Sequence, residues 1–337
     1  MQLKHKFAFE LTPLLLWAAT ALAAGPQAAD VPPAPDTPPR NVILISWDGL
    51  DRSVLKELLE ADKLPNVAAL IKEGSLQEIE VKGHATATKP SHAEMLTGLA
   101  AKTTGVRSNS DYQPIPEGYT ILERVQQRYG KENIRAFMVT SKIGNVGGRG
   151  PEPGADLQGQ KDNPKREKKG EPFFLTKKSL DVFDSADRNA AETGPLCLKR
   201  LEQFKSPRFI AFFHFSDPDH AGHAHGSDSP QYRAAAVECD QWLGRIVGWL
   251  KENGLYGQTL VYATADHGFD AHAATHKDAP HSWLVTNDKA VTRGGILADV
   301  PATILARFGV DLSKLDPPLI GKPLTDQPEA QKVKQAA

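Results

Sequence analysis

Short apolar runs that end in polar turns recur along this chain, with helical periodicity between them, and that alternation admits few folds. Asn41–Ser46 runs into Trp47-Asp48-Gly49, Phe209–Phe215 precedes Asp219, and Thr259–Thr264 precedes Asp266-His267. A run of this kind reads as a buried strand ending in a loop. Arg135–Thr140 and Trp283–Thr286 read as further strands, and Gln77–Val81 as a half-buried one with Ile79 and Val81 on one face. Helical spacing marks Asp51–Leu59, Pro65–Lys72, Ser91–Leu99, Ile121–Arg128, Leu196–Phe204 and Gln231–Leu250. Val300–Phe308 is a last helix, with Asp299 as its N-cap and Gly309 as its stop. Alternation of this kind predicts an α/β fold with a mostly parallel central sheet and helices on both faces. Ligands bind such sheets beyond the carboxyl ends of the strands. Catalytic groups are therefore expected just after strands.

The 337 residues are enough for one large α/β domain or two modest ones, and a single domain is expected over 41–325. Within it, 143–190 holds a Gly- and Pro-rich stretch and the polar run Lys161–Glu171, and reads as a small inserted cap. The glycines from Gly144 to Gly150 are not a phosphate-binding loop, because no Gly-Lys-Ser/Thr follows them. Residues 1–23 read as a signal peptide: Lys4 and Lys6, then the apolar stretch around Leu14–Ala19, then Ala21-Leu22-Ala23 as the cleavage site. The rival reading, an uncleaved anchor, needs about 20 apolar residues, and this stretch is shorter and interrupted. A periplasmic or secreted location follows. Residues 24–40 form a Pro- and Ala-rich flexible leader, and 326–337 a polar tail. In an oxidising compartment Cys197 and Cys239 could pair, or remain two buried thiols. A formal net charge of −1 leaves no footprint for duplex nucleic acid, so the expected partner is a small molecule.

Eight of the eleven histidines fall between His214 and His281, which points to a site, since histidine is the commonest metal ligand. Asp48, Asp219, His223, Asp266 and His267 all follow strands, and His276 lies in the next loop. Three aspartates and three histidines make two sets of three ligands. That suits two zinc ions, each with an open position; manganese or iron could take the same donors. Asp219 and His223, four apart, face the same way on a helix. Thr88 leads into helix Ser91–Leu99, where the helix N-terminus favours an alkoxide and an incoming anion. Two divalent ions, three carboxylates and a Thr88 alkoxide cancel in charge, so an anionic substrate meets no net repulsion.

These residues resemble the alkaline phosphatase superfamily, on the side of the type I phosphodiesterases, nucleotide pyrophosphatases and related sulfatase-like hydrolases. The resemblance rests on Trp47-Asp48-Gly49, Thr88-Lys89-Pro90-Ser91-His92 with Leu96-Thr97-Gly98, Pro218-Asp219-His220-Ala221-Gly222-His223, and Thr264-Ala265-Asp266-His267-Gly268. Asp299-Val300-Pro301-Ala302-Thr303 adds to it, so that the matches span residues 41–325. It implies an alkaline-phosphatase-like fold in which Asp48, Asp266, His267 and Thr88 bind one zinc. Asp219, His223 and a late histidine would bind the other. His276 is the choice for that histidine, with His281 and His272 behind it. Asn109 is implied to hold a phosphoryl oxygen, as a neutral donor to charge that develops in the transition state. A threonine cannot become the aldehyde that sulfatases use, so phosphate esters are favoured over sulfate esters.

The expected chemistry is hydrolysis of a phosphate ester or nucleotide through a phospho-threonine intermediate on Thr88. The alternatives are a phosphomonoesterase or phosphonate hydrolase with the same site, a phosphotransferase, and a non-catalytic metal-binding protein. Around the core set, Lys142 could meet substrate phosphate, but is expected to be an exposed lysine. His92 is expected either to touch substrate or to lie on a helix surface. His84 is expected to be structural or exposed, and His220 and His225 to support the ligands or face solvent.

Overall fold

The computed structural model describes residues 31–151 and 170–325. In chain order its elements are β1 (Asn41–Trp47), α1 (Arg52–Glu60), α2 (Pro65–Glu73), β2 (Ser75–Glu80), α3 (Thr88–Thr97), α4 (Ala101–Thr104), α5 (Ile121–Tyr129) and β3 (Ile134–Thr140). They continue with α6 (Thr176–Ser179), β4 (Val182–Ser185), α7 (Ala190–Gln203), β5 (Arg208–Phe215), α8 (Asp217–His225) and α9 (Pro230–Glu252). β6 (Thr259–Thr264), β7 (His281–Thr286), β8 (Gly295–Ile296) and α10 (Asp299–Arg307) complete the fold.

The strands form one eight-stranded sheet in the order β4-β3-β5-β1-β6-β7-β2-β8. β7 pairs antiparallel with both β6 and β2, and every other pairing is parallel. The sheet is therefore mixed, not purely parallel, but β7 alone runs against the rest. Period-two alternation sends successive side chains to opposite faces. Ile43, Ile45, Phe137, Phe213 and Val261 face one core, packed with α1, α2, α7 and α9 through residues such as Leu55, Val67, Leu201 and Leu243. Val42, Leu44, Met138, Phe212 and Tyr262 face the other, packed with α3, α5 and α10 through Met95, Val125 and Ile304. Both faces are covered, as the alternation of elements predicts.

Two expectations change, and the open choice for the cysteines falls to free thiols. The 143–190 stretch is not wholly a cap, because its end supplies α6 and the edge strand β4. Val146 and Phe173 from the same stretch are fully buried in the second core. The leader is held where it is described: the Arg307 guanidinium donates to the carbonyls of Ala34, Pro35 and Thr37. Cys197 and Cys239 sit in the same core on α7 and α9, but as free thiols. Burial pushes both thiols up, which leaves them neutral and unreactive. The expected signal peptide over 1–23, residues 24–30, the basic run Lys161–Lys169 and the tail lie outside the described residues. No helix among the described residues is long and apolar enough to cross a membrane.

Phe213 is fully buried mid-sheet on β5, beside Phe137 at a ring separation of 6.1 Å. Truncating it there opens a cavity that the flanking strands cannot close. Phe213→Ala should cost about 3–5 kcal/mol of stability. A urea titration checks this: the midpoint falls while the slope stays unchanged.

Candidate metal centre and nucleophile

Three adjacent strands, β5, β1 and β6, deliver one aspartate each at their carboxyl ends. Asp48 follows β1 directly, Asp219 lies in the first turn of α8 after β5, and Asp266 follows β6. All three are nearly or fully buried. The turn after β1 needs Gly49, whose φ of +70° is left-handed and whose added Cβ would stand 3.1 Å from the Asp219 Cβ. Gly49 N donates to Asp266 Oδ1 at 2.9 Å, so the turn that presents Asp48 also fixes Asp266.

Each carboxylate has one oxygen anchored and one left over. Asp48 Oδ2 accepts from Lys142 Nζ at 2.9 Å and lies 3.0 Å from His214 Nε2. Asp219 Oδ2 accepts from Lys142 Nζ, and Asp266 Oδ1 from Gly49 N. Asp48 Oδ1, Asp219 Oδ1, Asp266 Oδ2 and His267 Nε2 are buried without a hydrogen-bond partner. Buried polar atoms are rarely left so. Three of them converge: His267 Nε2 lies 3.6 Å from Asp48 Oδ1 and 3.3 Å from Asp266 Oδ2.

A second cluster adjoins the first. Asp219 Oδ1 is 3.4 Å from His223 Nε2 and 3.7 Å from His276 Nε2, and the two imidazole nitrogens are 3.1 Å apart. Asp219 and His223 share a face of α8, as their spacing predicts. The His267 and His276 rings stack at 4.1 Å, which puts the clusters side by side. Ligand atoms of Asp48, Asp219 and His267 also lie within 4.8 Å of one another, so Asp219 can reach either position.

The tautomers are set by carbonyl groups, which only accept. Nδ1 of His223 faces Ala274 O at 2.9 Å, Nδ1 of His267 faces Gly268 O at 2.9 Å, and Nδ1 of His276 faces Thr86 O at 2.6 Å. Each Nδ1 therefore carries the proton, and each Nε2 turns a lone pair inward, the form that binds a metal. Burial pushes the His267 pKa down to about 4, which keeps the ring neutral. Burial, then the charge of Asp48, pushes Asp266 well above the usual carboxylate range. For Asp48, burial acts upward, but Lys142 and His214 outweigh it and hold that carboxyl well below its usual value. Lone pairs and carboxylate oxygens that converge on one space, with one carboxyl forced toward its neutral form, are what a cation would relieve.

Thr88 is 1% exposed and begins α3, whose N-cap is Ala87. The helix thus starts three residues earlier than expected, and the hydroxyl belongs to its first turn. All ten residues of α3 are buried. Lys89 is pinned by Glu171 Oε2 at 3.1 Å and by the Tyr112 ring at 3.7 Å. Its backbone N–H donates to Asn109 Oδ1 at 2.9 Å and its Nζ to Asn109 O at 3.3 Å. That commits Oδ1 and holds Asn109 beside the residue next to Thr88, with the amide Nδ2 as its donor end.

Several expectations are corrected. Lys142 is not an exposed lysine: its side chain is 12% exposed and ion-paired to both Asp48 and Asp219. Burial opposes its charge, but those two carboxylates outweigh burial and raise its pKa. His92 is neither a surface residue nor placed to meet substrate. It is fully buried, with Nδ1 2.8 Å from Thr88 O and Nε2 3.0 Å from Ser46 Oγ. Burial, then the nearby His214, lowers its pKa to about 3. His84 is structural, paired with buried Glu94 at 2.6 Å. His220 and His225 face solvent. Of the rivals to His276, His272 is 84% exposed against Asp228, and His281 is 56% exposed against Glu80. His214 and Ser46 were missed by sequence reasoning, although a signal exists. In the α3-facing rows of β3, β5, β1 and β6 the residues Thr140, His214, Ser46 and Thr264 are polar at a core phase, each near the strand end.

Known proteins share this arrangement of sequence and fold. The pattern of the type I phosphodiesterase / nucleotide pyrophosphatase family matches residues 42–316. The human ectonucleotide pyrophosphatase/phosphodiesterase family member 5 is 25% identical over 234 residues, 68% of this chain and 45% of that protein. The chain spans about half the length of the curated relatives it matches. Murine ectonucleotide pyrophosphatase / phosphodiesterase 5, solved as an inactive variant with AMP, shares the fold with a TM-score of 0.54 at 14% identity. That match covers 80% of this chain and 95% of that one. Alkaline phosphatase from the Antarctic bacterium TAB5 shares it with a TM-score of 0.53 at 14% identity, covering 82% and 99%.

The convergence of His276 on Asp219 and His223 generates a test. His276→Ala should lose one equivalent of bound metal by elemental analysis, while His272→Ala and His281→Ala keep the wild-type content. Equal losses in all three would refute the choice of His276.

Proposed function

Because the chain belongs to the type I phosphodiesterase / nucleotide pyrophosphatase family, we propose that it hydrolyses phosphate esters of small molecules or nucleotides, with Thr88 as nucleophile and two divalent cations as cofactors. The observation that carries this reading is the set of four buried, unpartnered ligand atoms on Asp48, Asp219, Asp266 and His267, joined to Thr88 through Lys142, whose Nζ lies 2.9 Å from Asp48 Oδ2 and 3.5 Å from Thr88 Oγ1. Asp48, Asp266 and His267 with Thr88 would hold one cation, and Asp219, His223 and His276 the other. Three aspartates and three histidines suit zinc, with manganese or iron as the alternatives for the same donors. When bound, the cations supply positive charge to the phosphoryl oxygens and lower the pKa of a coordinated hydroxyl or water.

The chain's own groups account for the rest. Thr88 Oγ1 attacks phosphorus from the first turn of α3, where the helix dipole favours negative charge. The new Oγ1–P bond replaces the bond to the leaving oxygen, and the hydroxyl proton ends on the departing alcohol. Asn109, held by Lys89, offers Nδ2–H to a phosphoryl oxygen, a neutral donor for the charge that grows there. Water then hydrolyses the phospho-threonine and restores the Thr88 hydroxyl. His92 fixes the start of α3 by bonding Thr88 O.

Export of the mature chain belongs to the same proposal, since the leader ahead of Ala24 has the pattern of a signal peptide. N-terminal sequencing of secreted or periplasmic material should begin at Ala24. For the chemistry, Thr88→Ala should lower turnover of aryl phosphate esters by roughly 10³-fold or more while fold and metal content stay at wild-type levels. Rapid quench with labelled substrate should trap phosphate on Thr88 in the wild type and none in the variant. Full activity in Thr88→Ala would remove the nucleophile assignment.

A further inference from the structure

The three ligand residues of the second cluster are not held alike. Asp219 and His223 stand on α8, whereas His276 is carried by residues 269–280, which form neither helix nor strand. Ala271, His272, Ala274, Thr275, Lys277 and Asp278 of this stretch are exposed, so packing shapes it little. One side chain shapes it instead. Asp270 Oδ2 accepts from Thr275 Oγ1 at 2.7 Å and from Lys277 N at 2.9 Å, and Oδ1 accepts from Asp278 N at 2.9 Å. The backbone adds a bond from Asp270 N to Thr275 O at 2.8 Å. A single carboxylate therefore grips the chain on both sides of His276, using the capacity of aspartate to bond nearby backbone N–H groups.

Two imidazoles are aimed from that turn. His276 is delivered against Thr86, whose carbonyl takes Nδ1–H at 2.6 Å and whose hydroxyl donates to His276 O at 2.5 Å. Ala274 O, from the same turn, takes Nδ1–H of His223 at 2.9 Å. Ser227, just beyond α8, ties the turn to the helix that bears His223. Its N–H donates to Ala273 O at 2.8 Å and its hydroxyl to Asp270 O at 2.9 Å. Both rings that turn Nε2 toward Asp219 Oδ1 are thus set by groups of one turn. The first cluster has other anchors. Asp48 is held by Lys142 and His214, Asp266 by Gly49 N, and His267 by the carbonyl of Gly268 beside it. Among the described residues, the hydrogen bonds of the Asp270 carboxylate reach none of these groups.

We propose that Asp270 is the positioning residue of the second cation site: it assembles His223 and His276 around Asp219, and sets the affinity of that site alone. The inference rests on the reading of two cation sites and goes beyond it, since Asp270 acts through the turn and touches no cation. An ionised aspartate only accepts. Asp270→Asn keeps one acceptor oxygen and turns an NH2 group toward backbone N–H groups, so the turn loses bonds and gains a repulsion. Loss of a group that orients metal ligands costs about 10–100-fold in metal affinity.

The test is zinc uptake by the full-length protein, in equilibrium dialysis against graded free zinc with bound metal counted by elemental analysis. The wild type should take up two equivalents. In Asp270→Asn one midpoint should rise about tenfold or more while the other stays in place. The affected equivalent should be the one that His276→Ala loses, so adding Asp270→Asn to His276→Ala should leave the remaining midpoint within about twofold. A residue that merely supports the fold would weaken both equivalents and would act on top of His276→Ala. Thr275→Val removes one of the three bonds at an exposed position and should raise the same midpoint by a smaller factor. Equal weakening of both equivalents, or of neither, overturns the proposal, and so does an unchanged Thr275→Val where Asp270→Asn does not fold. A wild type that binds fewer than two equivalents would instead remove the reading beneath the proposal, and the proposal with it.

Discussion

Three buried carboxylates at the ends of adjacent strands repel one another, and the rest of the site is arranged around that repulsion. Asp48, Asp219 and Asp266 arrive on β1, β5 and β6 because those strands are neighbours in the sheet. Like charges without solvent push carboxyl groups toward their neutral form. The protein divides each group instead. One oxygen takes a donor from Gly49 N, His214 or Lys142, and the other is left for a ligand that the chain does not provide. The histidines follow the same logic, spending Nδ1 on a backbone carbonyl and turning Nε2 inward.

The sheet makes this affordable through its two cores. The one built on α1, α2, α7 and α9 is apolar to the carboxyl ends of the strands, its polar pair Asn41 and Thr259 lying at the strand starts. The other changes character at the strand ends, where Thr140 and Thr264 are polar and Ser46 and His214 meet His92 of α3. α3 is buried throughout, so Thr88 and its neighbours cannot move without the core moving. A hydroxyl held this way, acting as the proposed nucleophile, would lose little entropy on reaction, which is what positioning contributes to catalysis.

Much of this was legible in the sequence, and the misses have physical causes. The expectation that a site lies just after strands singled out Asp48, Asp219, His223, Asp266 and His267, which the structure brings together, because a buried parallel strand reads as a run of apolar residues whatever its partners. The same habit hid His214 and Ser46, which lie inside such runs and are exposed only by their alternation phase. Lys142 was read as a surface residue because long lysines usually are; two carboxylates from elsewhere in the chain change that, and no local pattern reports them. β4 was overlooked as four residues with Asp184 among them, too short and too polar to signal a strand. The reversal of β7 was likewise hidden, since strand direction depends on the path of the loop before it and not on the strand's own residues. His276 was separable from His272 and His281 only in space, where Thr86 fixes its ring.

That single reversed strand has a consequence for how such a protein can diversify. A parallel neighbour of β6 would have to be reached by a crossover over one face of the sheet, with a length set by the helix it carries. Because β7 doubles back, residues 265–280 leave and re-enter the sheet at the same rim, and no crossover over a sheet face sets their length. His267 and His276 sit at the two ends of this span, one fixed to the sheet and one borne on the loop. Insertions between them could reshape the mouth of the pocket, or hand the last ligand to another histidine, while the strands keep their register. The second cluster, with His276 borne on that loop, is thus the more open to change, while Asp48, Asp266 and His267 of the first are fixed at the ends of β1 and β6.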